Sequence, residues 1–214
     1  MPALGQPPTA VRLSEAQRVR GPLMRVIAGK YRSRPLRSLR GLDLRPTADR
    51  LRETLFNVLT AGNPTALEGT VWLDLYAGTG AVGIEALSRG AAMVYFVESV
   101  PRAAELVRQN LQSLGVAAGF HVVKQDVVRA LRGLEAEGVV ADFIFLDPPY
   151  RMEEAYRKTL ESLACPPLLK AATVVVAEHQ KKFDPGEVFA SLHHYRKLEQ
   201  GEAALSFYRR LADD

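Results

Sequence analysis

The stretch DLYAGTGAVG, Asp74 to Gly83, decides the fold. The apolar run VWLDL (71–75) leads into it and a helical pattern starting near Ala81 leads out, so its G-x-G-x-x-G spacing sits between a strand and a helix. In that context Gly78 and Gly80 allow a tight turn whose backbone approaches a ligand closely, and Gly83 lets the helix pack near the strand. Outward from this turn, short β-rich runs alternate with helix-length segments. The strands read as MVYFV (93–97), HVVK (121–124), DFIFLD (142–147) and TVVVAE (173–178), with helices beginning near Pro101, Val127 and Glu153. This alternation predicts a parallel α/β sheet covered by helices. A short helical piece is expected near Glu187. The last runs, HHYRKLE (193–199) and AALSFYRR (203–210), flank Gln200, Gly201 and Glu202 and read as an antiparallel hairpin, giving seven strands.

Composition bounds the function. Hydrophobic residues make up 47% and charged residues 24% of 214, which excludes disordered, collagen-like and coiled-coil chains. Cys165 is the single cysteine, so no disulfide within the chain and no cysteine-based zinc site is available, and a reducing, cytoplasmic setting is expected. The apolar runs are too short for a membrane span, and residues 1–23 lack the apolar core of a signal peptide. The formal charge of +4 is unevenly spread: residues 1–53 hold twelve Lys/Arg against four Asp/Glu, and the remainder sixteen against twenty. A basic arm on an acidic body suits a polyanion, although a solvated charged face gives the same count. Residues 1–23 read as a poorly ordered, proline-rich extension, 24–60 as a basic arm with a helix, and 61–214 as the main domain. The arm, 25–44, reads as a small exposed β-hairpin or extended segment, with Arg25, Lys30, Arg32, Arg34, Arg37 and Arg40 as its RNA-binding candidates. In the helix over 48–59, Leu51, Leu55 and Leu59 form the buried stripe, and Arg50, Arg52 and Glu53 take the other faces.

Chemistry concentrates at the strand ends. Glu98, twenty residues after Gly78, can accept hydrogen bonds from both hydroxyls of a ribose, which by itself suits NAD as well as other nucleotide cofactors. Asp74 lies where a cationic group of a cofactor can sit; NAD has no such group, whereas S-adenosylmethionine carries an ammonium. A capping or turn role for Asp74 is the alternative. Asp126, after the third strand, can bond an adenine amino group or cap the next helix. The most specific signal is DPPY, Asp147 to Tyr150, ending the fourth strand. Its prolines fix the backbone, so the Asp147 carboxylate and the Pro148 carbonyl can accept the two N–H bonds of an exocyclic amine while Tyr150 stacks on the base. Catalysis would then rest on positioning and electrostatics, with no covalent intermediate and no metal.

DLYAGTGAVGIEALSRG (74–90), Glu98, Asp126 and DPPY together resemble a class I, Rossmann-like S-adenosylmethionine-dependent methyltransferase acting on an amino group. MRVIAGKYRSRPL (24–36) and RPTADRLRETLFN (45–57) narrow the resemblance to the RsmD family of bacterial 16S ribosomal RNA guanine-N2 methyltransferases, over residues 24–210. The resemblance implies a seven-stranded class I methyltransferase sheet and methylation of guanine 966 in the small-subunit RNA. It further implies S-adenosylmethionine as cofactor and a 16S RNA substrate within a small-subunit particle. A monomer is expected. It also places Tyr76 in the cofactor loop and Arg45 and Thr47 beside the cofactor or target base, where capping and salt-bridge roles compete. Residues 1–23 fall outside the family pattern, so the expected start is Met24.

His121, His179, His193 and His194 have no metal-ligand spacing and read as strand or surface histidines, and nothing places a base beside Cys165. Three other functions compete with ribosomal RNA methylation. An amino-methyltransferase for DNA adenine, another RNA base or protein glutamine uses a similar Pro-Pro-aromatic motif, and the basic arm argues against the protein substrate. A noncatalytic ribosome-assembly factor has no need of Asp147 or the glycine loop. An NAD-dependent oxidoreductase has no use for DPPY.

Overall fold

The computed structural model of the protein describes residues 24–38, 46–164 and 168–210, with the side chains of 46–48 outside the description. The main body runs β1 (Val71–Leu75), α2 (Ala81–Ser88), β2 (Met93–Val97), α3 (Pro101–Leu114), β3 (Phe120–Val123), α4 (Val127–Ala136), β4 (Ala141–Leu146), α5 (Glu153–Leu163) and β5 (Leu169–Gln180). Before it stands α1 (Pro46–Leu59), and after it β6 (Val188–Phe189), β7 (Leu192–Gln200) and β8 (Ala203–Arg210). The strands form one sheet in the order β3-β2-β1-β4-β5-β8-β7-β6. β1 to β5 are parallel, and β8, β7 and β6 add on antiparallel. From β1 the chain builds outward through β2 and β3, then returns to build the other way from β4, so the order reverses between β1 and β4. That switch point, at the carboxyl ends of the strands, opens a crevice.

Alternating side chains fill two cores, one on each face. Trp72, Val94, Phe96, Phe145, Val176 and Phe207 pack with α1, α2 and α3. Leu73, Leu75, Ile144, Leu146, Val175 and Tyr208 pack with α4 and α5. α1 contributes Leu51, Leu55 and Phe56, whose ring stacks on Trp72 at 5.3 Å between centroids. No helix among the described residues is long and apolar enough to cross a membrane.

Three expectations are corrected. The helical piece near Glu187 is instead the short strand β6, paired with β7 through Val188–His193 and Phe189–Leu192, so the sheet has eight strands. The basic arm over 24–36 is a hairpin, bridged at Arg25 and Pro35 and packed onto the body as its helix leads one to expect, but it is not exposed throughout, since Val26 and Leu36 are buried in the α1–α3 core. Arg52, read as a surface residue of α1, is buried, because the docked hairpin covers it.

Candidate functional site

The glycine turn bends sharply at the end of β1. Tyr76, Gly78 and Gly80 all take positive φ values, of 63°, 55° and 77°, the first rare for a residue bearing a Cβ. A Cβ at Gly78 meets nothing closer than 3.9 Å and projects into open space, whereas one at Gly80 presses on Val107 and Phe96 at 3.1–3.3 Å. Gly78 therefore leaves open space beside the turn, and Gly80 joins Gly83 in packing α2 and α3 onto β2. This divides a role that the spacing assigned to both.

Carboxylates line the crevice beside this turn. Asp74, almost fully buried, accepts a hydrogen bond from the Gly83 amide at 2.8 Å, supplying a partner for the free first turn of α2. Burial raises its carboxyl to about 7 despite that bond, and the nearby charge of Glu98 adds to the rise. Glu98 accepts from the Gly78 amide at 2.9 Å with one oxygen and from the Val100 amide at 2.8 Å with the other, so it ties the tip of β2 to the glycine turn. Each oxygen keeps a second lone pair for a ligand. Asp126 is exposed and caps α4, accepting from Val128 at 3.0 Å and Arg129 at 3.4 Å, so its capping role is realised. Tyr76 turns toward α5, where its hydroxyl shares a 2.8 Å hydrogen bond with Thr159.

Asp147, Pro148 and Tyr150 leave β4 at the same crevice. Leu146 pairs with Ala177 in β5, so Asp147 stands next to Glu178, both on the Phe145/Val176 side of the sheet that also carries Asp74. Burial, reinforced by the neighbouring Glu178 and then Asp74, holds the Asp147 carboxyl well above the usual carboxylate range. Burial likewise pushes Glu178 up to about 7, against a hydrogen bond from Tyr150 and the positive charge of Arg52, which both pull it down. The Tyr156 hydroxyl bridges two backbone carbonyls, Glu178 at 2.9 Å and Pro148 at 3.3 Å, and so pins the DPPY turn to β5. Tyr150 itself is 41% exposed and offers a ring face at the rim.

The docked hairpin presents Arg25, Lys30, Arg32, Arg34 and Arg37 at the surface. Arg34 donates to the Ser113 carbonyl at 3.0 Å and Arg37 to Gln109 at 3.4 Å, both neutral acceptors. Arg40 and Arg45 lie outside the described residues, as do Cys165, residues 1–23 and the side chain of Thr47. The hairpin is held by side chains that the sequence pattern did not single out. Glu85, fully buried in α2, accepts from the Ile27 and Ala28 amides at 2.7 and 2.9 Å and from Arg89 at 2.8 Å. Arg52 donates to the Arg25 carbonyl at 2.6 Å and to Asp49 at 3.0 Å. Asn110, fully buried, accepts from the Arg37 amide and donates to the carbonyls of Arg37 and Thr79, joining the arm to the glycine turn. An acidic or amide residue at a helix position otherwise reserved for the core was the available signal for Glu85 and Asn110. For Glu178 it was a carboxylate closing an apolar strand beside DPPY.

His179 is buried and satisfied, bonded to the Gln180 carbonyl and the Ser206 hydroxyl, each at 2.8 Å, as suits a strand histidine. Among the described residues no group of three or more His, Cys, Asp or Glu side chains is arranged to hold a metal ion. The donor set at the crevice suits a different ligand. Acids held partly neutral by burial gain from a cationic partner, while Glu98 beside an open glycine turn provides hydroxyl acceptors. S-adenosylmethionine, cationic at sulfur and nitrogen and bearing a ribose, fits these residues.

Known proteins resemble this chain over most of its length. The model of the family described as Conserved hypothetical protein 95 matches residues 24–209. The Bacillus subtilis protein YlbH is 33% identical over 87% of this chain and 99% of its own length. The ribosomal RNA small subunit methyltransferase D of Escherichia coli is 32% identical over 88% of this chain and 91% of its own. The solved structure of the Escherichia coli protein yhhF superposes with a TM-score of 0.74 at 30% identity, covering 89% of this chain and 99% of that one.

Proposed function

Since the chain belongs to the family of Conserved hypothetical protein 95, we propose that it is a ribosomal RNA methyltransferase, moving a methyl group from S-adenosylmethionine to the exocyclic N2 amine of a guanine, guanine 966, in 16S RNA. The observation that carries this reading is DPPY at the carboxyl end of β4, beside the glycine turn and on the face that carries Asp74. The name of the Escherichia coli relative supports the substrate class.

When bound, S-adenosylmethionine supplies an electrophilic methyl group. The chain's own residues do the positioning. Gly78 leaves room for the cofactor's approach, and the free lone pairs of Glu98 accept ribose hydroxyls. Asp74 faces the amino acid ammonium, and Asp126 reaches the adenine with the oxygen its cap leaves free. Asp147 and the second lone pair of the Pro148 carbonyl accept the two N–H bonds of the target amine, which turns the nitrogen lone pair toward the methyl. Tyr150 stacks on the extruded base. Arg25, Lys30, Arg32, Arg34, Arg37 and Arg40 contact phosphates, and Arg45 and Thr47 border the pocket.

Purified protein, methyl-labelled S-adenosylmethionine and small subunits lacking the modification test this reading, with the RNA digested to nucleosides and the labelled position mapped. Label recovered as N2-methylguanosine at one site supports it. Label on another base, on DNA or on protein refutes it.

A further inference from the structure

Glu178 is a partly buried carboxylate that the reaction as described leaves unused. It stands beside Asp147 by the β4–β5 register, and the Tyr156 hydroxyl fixes its backbone to that of Pro148. Its carboxylate offers about four lone-pair sites, of which the Tyr150 hydroxyl occupies one. Among the described residues neither Glu178 nor Asp147 forms an ion pair; Arg52, spent on Arg25 and Asp49, acts on Glu178 only through its charge. Two adjacent carboxylates in a crevice repel one another unless a shared proton or the adjacent donors of a ligand lie between them.

The nucleobases differ in what flanks their exocyclic amine. In adenine and cytosine the neighbouring Watson–Crick ring nitrogen is a bare acceptor, which a second carboxylate repels. In guanine it is N1–H, a donor beside the N2 amine. We propose that Glu178 is the base-selecting residue of the site, accepting guanine N1–H while Asp147 accepts from the N2 amine. This rests on the reading of a guanine amine as the target, and it explains why two carboxylates, not one, end neighbouring strands.

The test uses small subunits reconstituted with RNA carrying either guanine or 2-aminopurine at the target position. 2-Aminopurine keeps the N2 amine but has a bare acceptor at N1. The parent protein is expected to methylate guanine on the order of 10²-fold faster, because with 2-aminopurine an acceptor is left facing an acceptor. Glu178→Gln, whose amide can donate to N1, is expected to slow guanine and speed 2-aminopurine until the ratio falls to about 10 or less. An unchanged ratio in that variant overturns the assignment. Should the variant not fold, the parent alone decides. Lowering the pH from about 8.5 to 6 protonates Glu178 and lets it donate to N1, so the ratio must fall. Asp147, Asp74, Tyr150 and Arg52 face the same space; Asp147 meets the amine that both bases carry, and Tyr150 and Arg52 act on the Glu178 carboxyl itself. A ratio near one at pH 8.5 overturns the role of Glu178 while leaving guanine methylation standing. Absence of N2-methylguanosine from the parent overturns the underlying reading as well.

Discussion

Replacing Glu85 with alanine should release the basic hairpin from the body. Its carboxylate, fully buried, holds the Ile27 and Ala28 amides at 2.7 and 2.9 Å and the Arg89 guanidinium at 2.8 Å, with Arg52 3.9 Å away. Each amide bond to a charged acceptor contributes about 1.5–3 kcal/mol. Breaking a buried ion pair by removing one partner costs about 3–5 kcal/mol. These contributions overlap, so about 4 kcal/mol of hairpin docking is at stake. The buried Val26 and Leu36, and the Lys30 and Tyr31 amides bonded to Ser88 at 2.7 and 2.9 Å, remain to oppose release. At about 1.4 kcal/mol per tenfold, the Ile27 and Ala28 amides should exchange with deuterium roughly 10³-fold faster, while β1 and β4 keep their protection. Glu85→Gln keeps one acceptor oxygen and should show a smaller effect. RNA affinity should fall in Glu85→Ala because the arm no longer holds its arginines in place. Unchanged exchange over residues 25–37 would refute the reasoning and show that the apolar side chains alone seat the hairpin.

Gly78→Val should abolish S-adenosylmethionine binding in calorimetry with little loss of melting temperature beyond the strain of its positive φ, whereas Gly80→Val should lower the melting temperature first, because its side chain meets Val107 and Phe96. Normal cofactor binding by Gly78→Val would show that the turn is misassigned. Replacing Arg32, Arg34 and Arg37 with alanine should weaken RNA binding and reduce the slope of log K against log salt by about 0.7–0.9 for each phosphate the arm no longer neutralises, with cofactor affinity unchanged. Asp74, raised from 3.8 to about 7 by burial, binds a proton in the folded chain at pH values where the unfolded chain has released it. Its contribution to stability is therefore present below about pH 4 and lost as pH rises through 7. Asp74→Asn should match the parent's melting temperature near pH 4 and exceed it by several degrees at about pH 8, and a pH-independent difference would contradict this.

The parallel strands and the terminal hairpin were legible because Val, Ile, Phe and Tyr cluster in short runs bounded by turn residues; β1, β2 and β8 have the limits read from the sequence. β5 is longer than its apolar run, since Leu169 pairs with Ala141 across an irregularity that no local pattern announces. β6 escaped because two residues carry no periodicity; it exists through its pairing with β7 and a 2.8 Å bond from the Tyr208 hydroxyl to the Gly186 carbonyl. At the site, DPPY and the glycine turn were legible as motifs. Glu178, Arg52, Glu85 and Asn110 were not, because each owes its environment to a partner far away in sequence, and a charged residue seen alone reads as surface.

Single-turnover methyl transfer by Asp147→Ala, with S-adenosylmethionine affinity measured on the same preparation, tests the account at its centre. Cofactor affinity should stay close to that of the parent while the rate of transfer to small-subunit RNA falls roughly 10²-fold or more, as when one aligned transition-state hydrogen bond is removed. Near-normal transfer by that variant would contradict the account, since the target amine would then be held by some other group.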